Sequence, residues 1–185
     1  MQSNLLKIIF YCLAFSFFLS CKDSEQKEVE LLLKGWIGKE LIFPSNQYAS
    51  IMGDSTVLFS DYISDNSHWK IVFYADSLGC VSCDLNLLEW MDFMEKAKEL
   101  TNHSVDFFFY FAPEKKKDII SALKLEEFHY PVFIDTQKEF NKLNRLPSNQ
   151  KFRTFLLNAK NEIVLIGNPT HGIEIEKLYY RVLGQ

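Results

Sequence analysis

The stretch 75-ADSLGCVSCDLNLLEW-90 places Cys80 and Cys83 two residues apart, behind an apolar run and ahead of a helical pattern. The run 70-KIVFYA-75 is continuously apolar and of strand length. Residues 84–100, DLNLLEWMDFMEKAKEL, bring Leu87, Met91, Met94 and Ala97 round at helical spacing. The pair is therefore expected at a strand-to-helix junction, with Cys83 in the helix's opening turn. Unpaired N–H groups and the positive end of a helix dipole would favour a thiolate at Cys80 there. Cys83, one turn on, could then attack a mixed disulfide formed at Cys80. A disulfide closing so small a loop contributes only about 2 kcal/mol of unfolded-state entropy, so a structural staple is a poor reason for the pair.

Downstream the pattern alternates. VDFFFYFA (105–112) reads as a buried strand. PEKKKDIISALKLEE (113–127) reads as a helix with Ile119, Ile120 and Leu123 on one face. PVFID (131–135) is a strand, and TQKEFNKLNRL (136–146) a helix burying Phe140 and Leu143. FRTFLLN and EIVLIG form a hairpin through Ala159-Lys160-Asn161, and IEIEKLYYRVL is a closing helix. Strand, helix, strand, helix, hairpin and helix make an α/β sandwich with a mixed central sheet. Upstream, residues 36–65 alternate short apolar pieces with turn formers and read as an N-terminal strand extension, with Trp36 packed on an edge strand.

The 185 residues suit one domain with a sizeable core. At the N-terminus, Lys7 is followed by an apolar stretch from Ile8 to Leu19, the pattern of a secretory signal over 1–20. Residues 21–35 are polar and charged at first and read as a tether, with 36–185 as the domain. The end of the signal, Leu19-Ser20-Cys21, resembles that of bacterial lipoproteins. The resemblance implies cleavage before Cys21, lipidation of Cys21, and a place in the envelope of a Gram-negative bacterium, facing the periplasm or displayed on the outer membrane.

With Cys12 leaving in the signal and Cys21 lipidated, Cys80 and Cys83 remain each other's only partner, in a compartment where disulfides persist. Removing residues 1–20 leaves 19 basic against 24 acidic side chains, a balance in which nothing steers the chain toward nucleic acid. The run Lys115 to Lys117 is a solvated helix start.

GCVSC after a strand, YPVFIDTQKEFNKL and RTFLLNAKNEIVLIGNP, in that order, resemble the thioredoxin superfamily over residues 69–184. Within it they are similar to the membrane-tethered TlpA-like and ResA-like thiol-disulfide oxidoreductases. The resemblance implies a thioredoxin-like three-layer sandwich, with Cys80 and Cys83 as the redox pair and no cofactor or metal. The partners it implies are protein thiols or disulfides and an upstream electron donor.

The chain departs from the family in three places. Phe152, followed by Arg153, stands where the family has a cis-proline facing the cysteines. Tyr74 replaces a buried acid, which leaves Asp76 or water to move protons for Cys83. Gly79 replaces a tryptophan, leaving Leu78 or Trp90 to supply a hydrophobic lip for partners. Between the cysteines, Val81-Ser82 carries no positive charge, which favours a reductant or isomerase over a strong oxidant. Two other readings stay open. One is a copper or zinc carrier taking a nitrogen from His68, His103, His129 or, best placed, His171. The other is a redox-inactive binding module of the same fold.

Overall fold

The computed structural model describes residues 26–27, 29–44, 47–51, 53, 55–58, 68–76 and 85–185. The chain divides into two compact units, Met1–Ile37 and Gly38–Gln185. In the first, residues 29–36 are helical, so Trp36, expected on an edge strand, ends a helix instead. The sequence EVELLLKGW favours helix, and Lys34 Nζ pairs with Glu30 one turn back at 2.7 Å.

In the second unit the strands are β1 (Tyr48–Ile51), β2 (Ser55–Leu58), β3 (Trp69–Asp76), β4 (Val105–Ala112), β5 (Val132–Ile134), β6 (Thr154–Leu157) and β7 (Ile163–Ile166). They form one sheet in the order β2-β1-β5-β4-β3-β6-β7. β3, β4 and β5 run parallel, while β6 is antiparallel to β3, β7 to β6, and β1 to both β5 and β2. The mixed sheet of the sequence reading is present, and the N-terminal extension supplies its β2-β1 edge. In the turn between those two strands Gly53 has φ +83°. A Cβ there would stand 2.8 Å from the Ile120 side chain.

The helices are α1 (Leu87–Leu100), α2 (Lys116–Leu125), α3 (Glu139–Asn144) and α4 (Ile173–Leu183). The connections β3-α1-β4 and β4-α2-β5 step the same way along the sheet, and with the right-handed crossover that parallel strands favour this puts α1 and α2 on one face, where Trp90, Ile119 and Leu123 share one cluster. α4 joins them, because Trp90, Ile119, Leu123, Tyr179 and Leu183 share one buried cluster with Phe73, Phe107 and Phe109. Alternation along the strands turns Tyr74, Phe108 and Tyr110 to the other face. There they meet Phe43 and Phe140, with ring centroids 5.1 Å apart for Phe43–Phe108 and 4.2 Å for Tyr110–Phe140.

Three local expectations are corrected. The helix expected from 84 is broken at Asn86: Leu85 is helical, Asn86 takes a left-handed backbone (φ 47°, ψ 45°) that asparagine tolerates and a continuous helix does not, and α1 runs on from Leu87, residue 84 lying outside the described residues. Its buried stripe is centred on Trp90, Phe93, Met94 and Ala97, with Met91 only partly covered. In α3 the buried partner of Phe140 is Asn144, while Leu143 is 44% exposed. The Asn144 amide closes both hydrogen bonds of Ile42, accepting from its N–H and donating to its carbonyl, each at 2.8 Å.

Candidate functional site

The sheet's connectivity reverses at β3. From β3 the chain steps outward to β4 and β5, then returns to lay β6 on the opposite side of β3. In open α/β sheets such a switch leaves a crevice at the carboxyl ends of the strands. The carboxyl end of β3 is Asp76, and because β6 runs antiparallel its first residues lie beside that end. Phe73 is in register with Thr154, and the Tyr74 N–H donates to the Arg153 carbonyl at 3.0 Å.

Two of the residues singled out in the sequence meet here. Arg153 Nη1 donates to Asp76 Oδ1 at 2.5 Å. The rest of the guanidinium is also occupied, since Nε donates to the Pro147 carbonyl at 2.6 Å and Nη2 to the Ser148 carbonyl at 3.0 Å. Arg153 is 7% exposed, and its fork thus ties the loop before β6 to the exit of β3. Lys138 Nζ lies 4.0 Å from Asp76 Oδ2. Gln150 Nε2 donates to the Asp76 carbonyl at 2.9 Å and to Oδ1 at 3.2 Å. Sequence reasoning did not reach Lys138 or Gln150, because nothing local marks a partner 62 or 74 residues away along the chain.

Phe152 closes a short 3-10 turn, Gln150–Phe152, in which its N–H donates to the Asn149 carbonyl at 3.2 Å. The described residues contain no cis peptide bond, so the backbone entering β6 differs from the cis-proline pattern. The Asn149 side chain accepts from the Lys151 N–H at 3.1 Å and holds the start of this turn.

Beneath the ion pair, Tyr74 and Tyr110 stand in register on neighbouring strands, both fully buried. Burial, then the carboxylates of Asp76 and Asp135, push the Tyr74 phenol above its ordinary value, against the pull of Arg153 and Asn141. Tyr110 is pushed up by burial and by Asp135 and Glu139. Asp135, 6% exposed, accepts the Glu139 and Phe140 N–H groups at 2.8 and 2.9 Å and so caps the start of α3.

Cys21, Cys80 and Cys83 lie outside the described residues, as do Leu78 and Gly79. Trp90 is corrected as a docking lip. It is wholly buried between Phe73, Phe93 and Phe109, with centroids at 5.4, 5.7 and 5.1 Å. His171 is exposed in the turn before α4, and His68 Nδ1 is within hydrogen-bonding distance of Ser104 Oγ at 2.9 Å. Among the described residues, no three His, Cys, Asp or Glu side chains are grouped so as to hold a metal ion.

No protein-family model matches the sequence, and no curated protein matches it significantly. Solved structures do match. A PrxQ mutant from Xylella fastidiosa superposes with a TM-score of 0.52 at 16% identity, over 79% of this chain and 94% of that one. The thioredoxin domain of a thiol-disulfide oxidoreductase from Bacteroides vulgatus gives 0.51 at 11%, over 77% and 97%. StoA from Bacillus subtilis gives 0.50 at 18%, over 74% and 96%. What the chain shares with these proteins at such low identity is architecture: it has the thioredoxin-like α/β fold.

Proposed function

We propose that the protein is an exported, lipid-anchored thiol-disulfide oxidoreductase, acting as a reductant or isomerase of protein disulfides through Cys80 and Cys83. The observation that carries this reading is the placement of β3. It is the strand at the sheet's switch point, and the chain leaving its carboxyl end reaches Cys80 four residues later. Solved proteins of similar architecture include a thiol-disulfide oxidoreductase, which supports the same chemistry here. Export and the lipid on Cys21 rest on the N-terminal sequence.

In the proposed cycle the Cys80 thiolate attacks one sulfur of a partner's disulfide. A Cys80–partner disulfide forms, and the other partner sulfur leaves as a thiolate that takes up a proton. Cys83, deprotonated, then attacks the Cys80 sulfur, which closes the Cys80–Cys83 disulfide and releases the second partner thiol. The partner gains two electrons and two protons. A dithiol reductant restores the pair by the reverse exchange.

Insulin reduction by the full chain in detergent, with dithiothreitol as electron source, tests the reading. The parent should exceed the blank and Cys80→Ser should match it; pre-reduced and freed of dithiothreitol, Cys83→Ser should trap a mixed disulfide with insulin at Cys80. A parent indistinguishable from the blank would overturn the proposal. Labelling of growing cells with an alkyne-bearing fatty acid checks the anchor, which Cys21→Ala should lose.

A further inference from the structure

The Asp76–Arg153 pair is built with more bonds than a surface ion pair. The guanidinium makes three hydrogen bonds while 7% exposed, and the Asp76 side chain is 14% exposed. Four residues of chain span at most ~14 Å, so Cys80 stays within that reach of Asp76 whatever path the intervening residues take. Charges this well shielded are felt over such a distance with less screening than exposed ones.

We propose that Asp76 and Arg153 are a positioning pair for Cys80: together they latch the loop before β6 to the exit of β3, and their mutual neutrality sets how readily the Cys80 sulfur reacts. This inference rests on the assignment of Cys80 as the attacking thiol. It also revises the expectation that Asp76 moves protons for Cys83, because the carboxylate is engaged by Arg153, Lys138 and Gln150. Neither residue is assigned contact with substrate.

The other charged and titratable groups among the described residues at this end of the sheet come from every side. They include Tyr74 on β3 and Tyr110 on β4, Lys138 and Glu139 at α3, Asp135 after β5, Lys151 in the turn before β6, Glu89 in the first turn of α1, Glu114 to Asp118 at the start of α2, and His171 and Glu174 at the start of α4. All of these are the same in each variant below, so differences between variants isolate the pair.

The two halves carry opposite signs, which separates an electrostatic role from simple damage. Removing Arg153 leaves the Asp76 carboxylate less compensated and disfavours a nearby thiolate. Removing Asp76 leaves a buried guanidinium that favours it. The test is the pH profile of Cys80 alkylation by iodoacetamide on the full reduced chain in detergent, read by mass spectrometry of the Cys80 peptide. Arg153→Met should move the midpoint up and Asp76→Asn should move it down, each by up to about one pH unit. Arg153→Lys, which keeps the charge, should fall between the parent and Arg153→Met.

Shifts in the same direction, or none, would overturn the proposal. If Arg153→Met fails to fold, the near-isosteric Asp76→Asn decides alone: a downward midpoint supports the pair and an unchanged one sinks it. Alkylation needs no turnover, so a parent inactive toward insulin would defeat the oxidoreductase reading without deciding this one.

Discussion

The two faces of the sheet are closed by different means. On the face covered by α1, α2 and α4, aromatic rings do almost everything. Trp90 meets Phe109 edge-on at 5.1 Å, Phe93 meets Tyr179 at 5.5 Å, and the Tyr179 hydroxyl finds the Gly167 carbonyl at 2.8 Å. On the opposite face the rings are as dense, yet Asp135, Asn144 and Arg153 are buried among them. The difference follows from helix length. α1 and α4 are regular helices whose backbone groups bond internally, so only apolar surface needs to be brought in. α3 has six residues and cannot cover its face, so irregular segments around 38–44 and 145–153 complete it. Irregular backbone brings its own N–H and carbonyl groups into the interior, and each needs a partner. Asn144 serves Ile42, Asp135 serves α3, and Arg153 serves Pro147 and Ser148.

This contrast can be broken most severely on the aromatic face. Trp90→Ala removes the largest wholly buried side chain between α1 and the sheet and should cost about 3–5 kcal/mol in denaturant unfolding. A loss near that of a surface substitution would show that the face is not packed as described. On the polar face, Asn144→Ala leaves both backbone groups of Ile42 unserved and should cost about 1–3 kcal/mol. Hydrogen exchange should rise at Ile42 while α1 stays protected. Uniform exchange across both faces would deny that the stitches act locally.

The mildest test uses pH and reads both faces together. Tyr110 on one face and Tyr179 on the other are buried, and burial holds each phenol above its ordinary value. Their folded values exceed the unfolded one, so the stabilisation is complete below about pH 10 and is lost as pH climbs above it, when the unfolded chain releases protons the folded chain keeps. Each contributes a slope of about 1.4 kcal/mol per pH unit in that window. Tyr179→Phe should flatten the alkaline fall by one such contribution. Titration of all eight tyrosines near pH 10 in the still-folded protein, followed by absorbance, would contradict the burial.

How far the sequence went can be judged residue by residue. The bounds of β4 and α4 were legible because long runs of one period leave little choice: VDFFFYFA is a buried strand and IEIEKLYYRVL an amphipathic helix wherever they dock. The break at Asn86 in the helix expected from 84 was missed because a left-handed asparagine leaves no mark on hydrophobic periodicity. Leu143 was preferred over Asn144 because burial of an amide is decided by what it bonds, and Ile42 lies 102 residues away.

Around the candidate site the division is sharper. The spacing of Cys80 and Cys83, and their place after an apolar strand, belong to the sequence alone, as does the reading of a secretory signal before Cys21. That Asp76 and Arg153 face each other, with Lys138 and Gln150 alongside, was decided only when β6 returned antiparallel to β3. Local patterns settle which segments must be strand or helix, because burial repeats with their geometry. Which charges become neighbours depends on sheet order, and no window of the sequence contains both partners.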